Sequence, residues 1–428
     1  MNTVFRKALG GSAVLMGATM AVNLLNYGYA LVLGRHFGPA AYGSYASFVA
    51  LFLVLTLWPL TLQQVAARFA AGGRSVLTYL WRLGWYSGLA GGLLLAAAAL
   101  PLSRLLNLPW PWLIGLAVLM PWFTLTGVLR GEAQGEARFL PFGVNLITEH
   151  LGKILFTPLT LLFTPGIAGA VAATLLAFPL TTLHLRLRRQ SRPVDAGERA
   201  AALRFARPAF ASLAAQAVIM NSDVLLVRAF LPAHEAGVYA AVSIIGRVVF
   251  YGAWAVSTAI FPLVAARQEG KHRDLLWFSV GLTALVSGAV TLGCALTPTL
   301  IVNLLFGPAY LAGAAFIAPY ALITSLYAVS NALTNHALAQ DRQHHAYLTA
   351  VMAAFQVFLL LARHRSVQDV LVDQLIAQGL LLVSSFALLR LGRPAPTSAF
   401  LPAADLPAAR SSSEAAVPGA MEKPYVLQ

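Results

Sequence analysis

Between Leu275 and Gln340 the chain carries no Asp, Glu, Lys or Arg. An α-helix needs about 20 apolar residues to cross the hydrocarbon core of a bilayer. That stretch therefore holds two crossings and a hairpin. Charge-free runs long enough for a crossing recur at Phe37–Ala67, Leu83–Ser103, Leu105–Leu129 and Ile154–Leu185. Charged residues make up 10% of the sequence, against about 25% in soluble domains. So few cannot cover a water-facing surface, and lipid must be the main solvent. The pattern predicts an all-α integral membrane protein with about 12 transmembrane helices. These are expected near residues 8–34, 40–70, 77–101, 109–130, 138–163, 166–187, 205–231, 236–266, 275–297, 311–339, 344–363 and 367–391.

The chain repeats itself. Arg35-His-Phe-Gly-Pro39-Ala-Ala-Tyr-Gly43-Ser-Tyr45-Ala46 returns as Arg228-Ala-Phe-Leu-Pro232-Ala-His-Glu-Ala-Gly237-Val-Tyr239-Ala240, with one extra residue between Pro and Gly. Each copy follows one long apolar segment and opens another. Gln-Val-Ala-Ala-Arg68 ends the second span much as Leu-Val-Ala-Ala-Arg267 ends the eighth. Arg130-Gly-Glu-Ala-Gln134 after the fourth span corresponds to Leu338-Ala-Gln340-Asp-Arg342 after the tenth. These matches predict a six-plus-six parallel repeat around a central cavity, the layout of a two-lobed transporter. The expected division is an N-terminal bundle at 1–189, a cytoplasmic linker at 190–204, a C-terminal bundle at 205–391 and a disordered cytoplasmic tail at 392–428.

The net charge of +14 does not point to nucleic acid. With the N-terminus in the cytoplasm, most of the 29 Lys and Arg residues fall in cytoplasmic segments. Arg35, Arg104, Arg228, Arg363 and Arg365 fall outside, and Lys153 and Arg247 fall inside spans. This is the positive-inside asymmetry, and it places both termini in the cytoplasm of an inner (plasma) membrane protein. Arg6-Lys7 precedes a first apolar run too long for a cleaved signal, so an uncleaved anchor is expected. Cys294 is the only cysteine, which excludes an intrachain disulfide.

The R-x-F-G-P-x-x-Y-G-x-Y-A segment resembles the oligosaccharide flippases of the multidrug/oligosaccharidyl-lipid/polysaccharide exporter superfamily. So do Leu304-Leu-Phe-Gly307-Pro-Ala-Tyr310 before the tenth span and Gly166-Ile-Ala-Gly169-Ala before the sixth. The resemblance covers residues 5–391. It implies two helical bundles facing a central cavity. It also implies outward flipping of a polyprenyl-diphosphate-linked oligosaccharide, with membrane lipid and glycan polymerases or glycosyltransferases as partners and no cofactor. The chain departs from the family pattern before the twelfth span, where Arg363-His-Arg365 replaces a glycine-alanine lead-in.

An ionisable side chain inside a span costs about 2.5–3.5 kcal/mol on insertion scales, so each requires a reason. In the fifth span Asn145, Glu149 and Lys153 recur at helical spacing on one stripe, with His150 adjacent. Two readings stand: an internal Glu149–Lys153 pair, or a cavity wall with Lys153 available to phosphate and Glu149 titratable for ion coupling. In the eighth span Ser243, Arg247, Tyr251, Trp254 and Thr258 form a second stripe, suited to a glycan diphosphate. Arginine forks onto phosphate oxygens and the aromatics offer flat faces. The competing reading pairs Arg247 with Asp223 of the seventh span; Asp223 is also the second candidate for coupling. Asn23 and Asn26 in the first span, with Asn331 and Asn335 in the tenth, are candidates for sugar hydroxyls or for interhelical bonding. Gln374 and Gln378 are similar. Arg35 and Arg228 are expected to cap a helix end or pin a loop, and His344, His345 and His364 to be solvated.

No P-loop, nucleophile elbow, H-E-x-x-H or paired catalytic carboxylate motif occurs, so no enzyme chemistry and no metal is expected. The alternatives are a cation-coupled multidrug exporter, which calls for an acidic cavity, then a membrane-bound glycan polymerase or ligase, or a scaffold. A polymerase requires a large outer loop, and no predicted outer loop is long.

Overall fold

The computed structural model describes the backbone of residues 3–73, 76–182, 185, 194–265, 272–339 and 344–391. Side chains are described at the same residues except 3–13, 253–265, 272–275, 338–339 and 391. Met1–Gly392 is one compact unit. The expected tail, residues 186–189 of the expected N-terminal bundle and residues 190–193 of the expected linker lie outside the described residues, as do the side chains of Trp254 and Thr258.

Among the described residues every regular element is helical. The N-terminal half runs α1 Thr3–Leu55, α2 Leu57–Ala71, α3 Leu77–Ala97, α4 Ala99–Leu106, α5 Trp110–Gly135, α6 Phe139–Phe163 and α7 Ile167–Ala177, then a 3₁₀ turn at Phe178–Thr182. The C-terminal half runs α8 Ala196–Phe230, α9 Ala233–Ala265, α10 His272–Leu296, α11 Pro298–Leu305, α12 Ala314–Ala339, α13 His344–Ala362 and α14 Val367–Leu391. A second 3₁₀ turn, Pro308–Gly313, precedes α12.

Nine described helices are long and apolar enough to cross a membrane, or ten if α3 and α4, bent by 61°, count as one span. About twelve spans were expected, and the difference lies at two places. Helix α1 carries the first and opens the second, and the short apolar stretch Ile167–Thr182 occupies the sixth. The break expected near Arg35 is a kink within α1: Gly38 adopts φ 74° and ψ 175°. Pro39 disfavours helical geometry in the residue before it, and glycine takes the positive φ that results without a Cβ clash. Helix α8 starts at Ala196, inside the segment read as linker. Its Ala202 and Ala206 are buried against Leu62, Val65 and Leu77.

Without a hydrophobic force between helices in lipid, close packing of small residues holds them together. Gly127, Gly131 and Gly135 on α5 show this. A Cβ at each would stand 2.3, 2.2 and 2.3 Å from the carbonyls of Pro59, Gln63 and Ala67 on α2. The same device joins the two halves, where α1 crosses α9. A Cβ on Gly43 would meet Gly237 N at 2.8 Å, and one on Gly237 would overlap the Pro39 carbonyl at 1.7 Å. The repeated motif thus packs one copy against the other.

Candidate substrate site

Two polar clusters lie inside the molecule, one in each half. In the N-terminal half the stripe on α6 is anchored by α5 and α1. Asn145 is fully buried; its Oδ1 accepts from Arg130 Nε at 2.7 Å, and its Nδ2 donates to the Thr181 carbonyl. Glu149 Oε2 pairs with Arg130 Nη2 at 2.7 Å. One turn on, Lys153 Nζ donates to Asn26 Oδ1 and lies 5.1 Å from the centre of the Tyr29 ring. The Tyr29 hydroxyl shares a 2.6 Å bond with Thr157, a further turn along the stripe.

The internal Glu149–Lys153 pair is therefore not the arrangement adopted. Glu149 takes Arg130 as its partner, because α5 continues as helix to Gly135, past the end expected near residue 130, and carries the guanidinium alongside α6. Lys153 is left with neutral partners, an amide oxygen and a ring face, and no described carboxylate forms an ion pair with it. Asn23 is half-buried on α1, three residues before Asn26.

In the C-terminal half the centre is Asp223, fully buried on α8. Its Oδ2 accepts from the hydroxyls of Tyr239 on α9 and Tyr320 on α12, both at 2.8 Å. Gln374 on α14 donates to the Tyr239 hydroxyl at 2.6 Å. Arg247 Nη2 donates to the Met220 carbonyl and lies 3.9 Å from Asp223 Oδ1, an ion pair without a hydrogen bond. Arg247 Nε and Asp223 Oδ1 are both buried without a hydrogen-bond partner, so each retains unused bonding capacity.

The other candidates divide. Asn331 is buried and accepts from Gln216 at 3.2 Å, which is interhelical bonding. Asn335 is exposed. Ser243 donates to the Ala240 carbonyl on its own helix at 2.9 Å and is buried. Tyr251, a turn beyond Arg247, is partly exposed. Gln378 donates to Gln356 Oε1 at 2.6 Å. His345 is buried, so the solvated reading fails for it, whereas His364 is partly exposed and stacks on Phe230 with ring centres 3.9 Å apart. Each lies where a helix end meets a neighbour. Tyr239, Tyr320, Arg130 and Gln356 belong to these clusters and were not candidates in the sequence. The G-x-Y-A motif pointed at Tyr239, yet its hydroxyl partner lies on another helix. Among the described residues no group of three His, Cys, Asp or Glu side chains is placed to hold a metal ion.

No protein-family model matches the sequence, and no curated protein matches it either. Solved structures do. An inward-facing multidrug resistance MATE family transporter of the MOP superfamily aligns with TM-score 0.70 at 14% identity, over 87% of this chain and 96% of the other. The outward-facing conformation of such a transporter aligns with TM-score 0.61 at 15% identity, over 89% and 95%. A MOP superfamily transporter from Pyrococcus furiosus Vc1, described as having a binding pocket of reverse polarity, aligns with TM-score 0.60 at 15% identity, over 89% and 95%. The chain is a multi-pass membrane protein with the two-repeat helical fold of the MATE transporters.

Proposed function

We propose that the protein is a flippase. It moves a polyprenyl-diphosphate-linked oligosaccharide from the cytoplasmic to the outer leaflet of the plasma membrane by alternating access of its two halves. The observation that carries this reading is Lys153. A buried ammonium costs several kcal/mol unless it is compensated. Its direct contacts are neutral and the nearby Glu149 is held by Arg130, so its charge remains available to an anion. Arg247 supplies a second cation with a buried, unpartnered Nε, suited to a forked contact with phosphate oxygens. The polyprenyl tail stays in lipid while the diphosphate and sugars pass between the halves. An interior-negative potential favours outward movement of an anion by about 2.3 kcal/mol per charge per 100 mV. The higher TM-score against the structure described as inward-facing supports an inward-facing state for this conformation.

The second reading is a cation-coupled multidrug exporter, favoured by the names of the fold relatives and by the unpartnered oxygen of Asp223. Cargo choice separates the two. In proteoliposomes under an imposed potential, the flippase reading expects translocation of a fluorescent polyprenyl-diphosphate sugar and none of a cationic dye. Transport of the dye alone would replace the flippase reading with the exporter.

A further inference from the structure

The two copies of the repeated motif do more than cross at Gly43 and Gly237. Each begins with an arginine, and each arginine reaches into the opposite half. Arg35 on α1 donates from Nε to the Leu305 carbonyl at 2.9 Å and from Nη2 to the Leu304 carbonyl. Leu304 and Leu305 are the last residues of α11. Arg228 on α8 donates from Nη2 to the Asn107 carbonyl at 3.0 Å. Asn107 immediately follows α4 and sits in the left-handed conformation at φ 50°. Its Nδ2 reaches back to the carbonyls of Arg228 and Ala229, both at 3.3 Å.

Helices α4 and α11 hold the same place in the two halves, each eight residues long and each following the long helix after a bend or break. The last carbonyls of a helix lack intrahelical partners and carry the negative end of its dipole. A guanidinium is the side chain best shaped to cover two of them at once. Arg35 covers two carbonyls at the end of α11, and Arg228, at the matching place in the repeat, covers one, that of Asn107 just past α4. Beside Gly34, the neighbour of Arg35, the rings of Tyr42, Phe306 and Tyr310 pack with centres 5.1–6.3 Å apart, and the Tyr310 hydroxyl donates to the Gly34 carbonyl at 2.9 Å.

We infer that Arg35 and Arg228 form a paired latch that holds the two halves shut at this end and opens whenever they part. The bonds exist only when the halves touch, so they weight the closed state over any state open at this end. Their strength suits a latch that cycles. Arg35 is exposed and Arg228 half-buried, so water takes over both the guanidinium and the carbonyls on opening. A charge-assisted bond exchanged with water shifts a population several-fold and does not lock it. The latch rests on the alternating access proposed above and not on the identity of the cargo.

Spin labels test it. Cysteines at Phe163 and Arg365, both exposed and on opposite halves at this end, go into a Cys294→Ser background. Pulsed electron–electron distance measurements then give the short-distance (closed) and long-distance (open) populations. Arg35→Ala and Arg228→Ala should each raise the open-to-closed ratio roughly threefold to tenfold, and the double variant by about the product. Arg35→Lys should fall between wild type and Arg35→Ala. Asn107→Gly keeps the positive φ and removes only the reciprocal bonds, so it should shift the ratio in the same direction as Arg228→Ala. Gly237→Ala, whose Cβ overlaps Pro39, should force the open distance and supplies the reference. A double arginine variant that is monodisperse and keeps the wild-type distances overturns the latch. If that occurs while Gly237→Ala opens the structure, the seal belongs to the glycine crossing alone. If the arginine variants shift the distances but the lipid-linked sugar is not moved by wild type, the latch stands and only the cargo reading falls.

Discussion

The two halves share a repeated motif at one end and differ in the middle. In the N-terminal half the carboxylate is neutralised at close range, Glu149 to Arg130 at 2.7 Å, and the cation Lys153 is left with neutral company. In the C-terminal half the roles are exchanged. Asp223 is held by two phenols, its nearest cation is 3.9 Å away, and Arg247 spends a donor on a backbone carbonyl. The motif that joins the halves recurs in both, while their interiors differ. In the proposed flippase the N-terminal interior offers Lys153 to the anion, and Arg247 offers the second cation. The C-terminal interior keeps a carboxylate with one buried oxygen that has no hydrogen-bond partner.

The largest effect should come from removing the centre of the C-terminal network. Asp223→Ala strands two buried hydroxyls and leaves Arg247 without its carboxylate. It should destabilise the protein by about 3–5 kcal/mol, read as a lowered midpoint of thermal unfolding in detergent. Asp223→Asn keeps an acceptor for both tyrosines and should cost much less. If Ala and Asn are equivalent, the network is not what holds these helices together.

In the N-terminal half, Glu149→Gln or Arg130→Gln alone should each cost about 2 kcal/mol by orphaning a partner, while replacing both with apolar residues should recover most of the loss. A double variant as unstable as either single would mean that the pair is not independent of Lys153. The smallest effects are the single hydroxyls. Tyr320→Phe and Tyr239→Phe should cost about 1 kcal/mol each, with Tyr239 the larger because Gln374 also loses its acceptor. Equal and negligible losses would place the burden on Arg247 instead.

The sequence showed the helices well and their partners poorly. Apolar run length located the expected spans because bilayer thickness dictates it, and the R-x-F-x-P…G-x-Y-A repeat marked the joint between the halves. Gly38–Pro39 was read as a loop, but a glycine at positive φ followed by proline bends a helix without ending it. The fourth span was expected to end near Arg130, yet α5 runs on to Gly135 and the paired arginine stays helical beside Glu149. Lys153–Asn26 and Asp223–Tyr320 join residues far apart in the chain, and helical spacing reports only one face of one helix at a time. The Gly127, Gly131 and Gly135 stripe was not singled out, because its meaning lies in the α2 carbonyls packed against it.

Direct binding tests the division of labour between the halves. Equilibrium binding of a polyprenyl diphosphate to purified protein in detergent should weaken about tenfold or more in Lys153→Gln, the loss of one charge-assisted contact. It should hold or tighten in Asp223→Asn, which removes only the carboxylate facing Arg247. Affinity unchanged in Lys153→Gln, or weakened as much in Asp223→Asn, would contradict an anion site built in the N-terminal half.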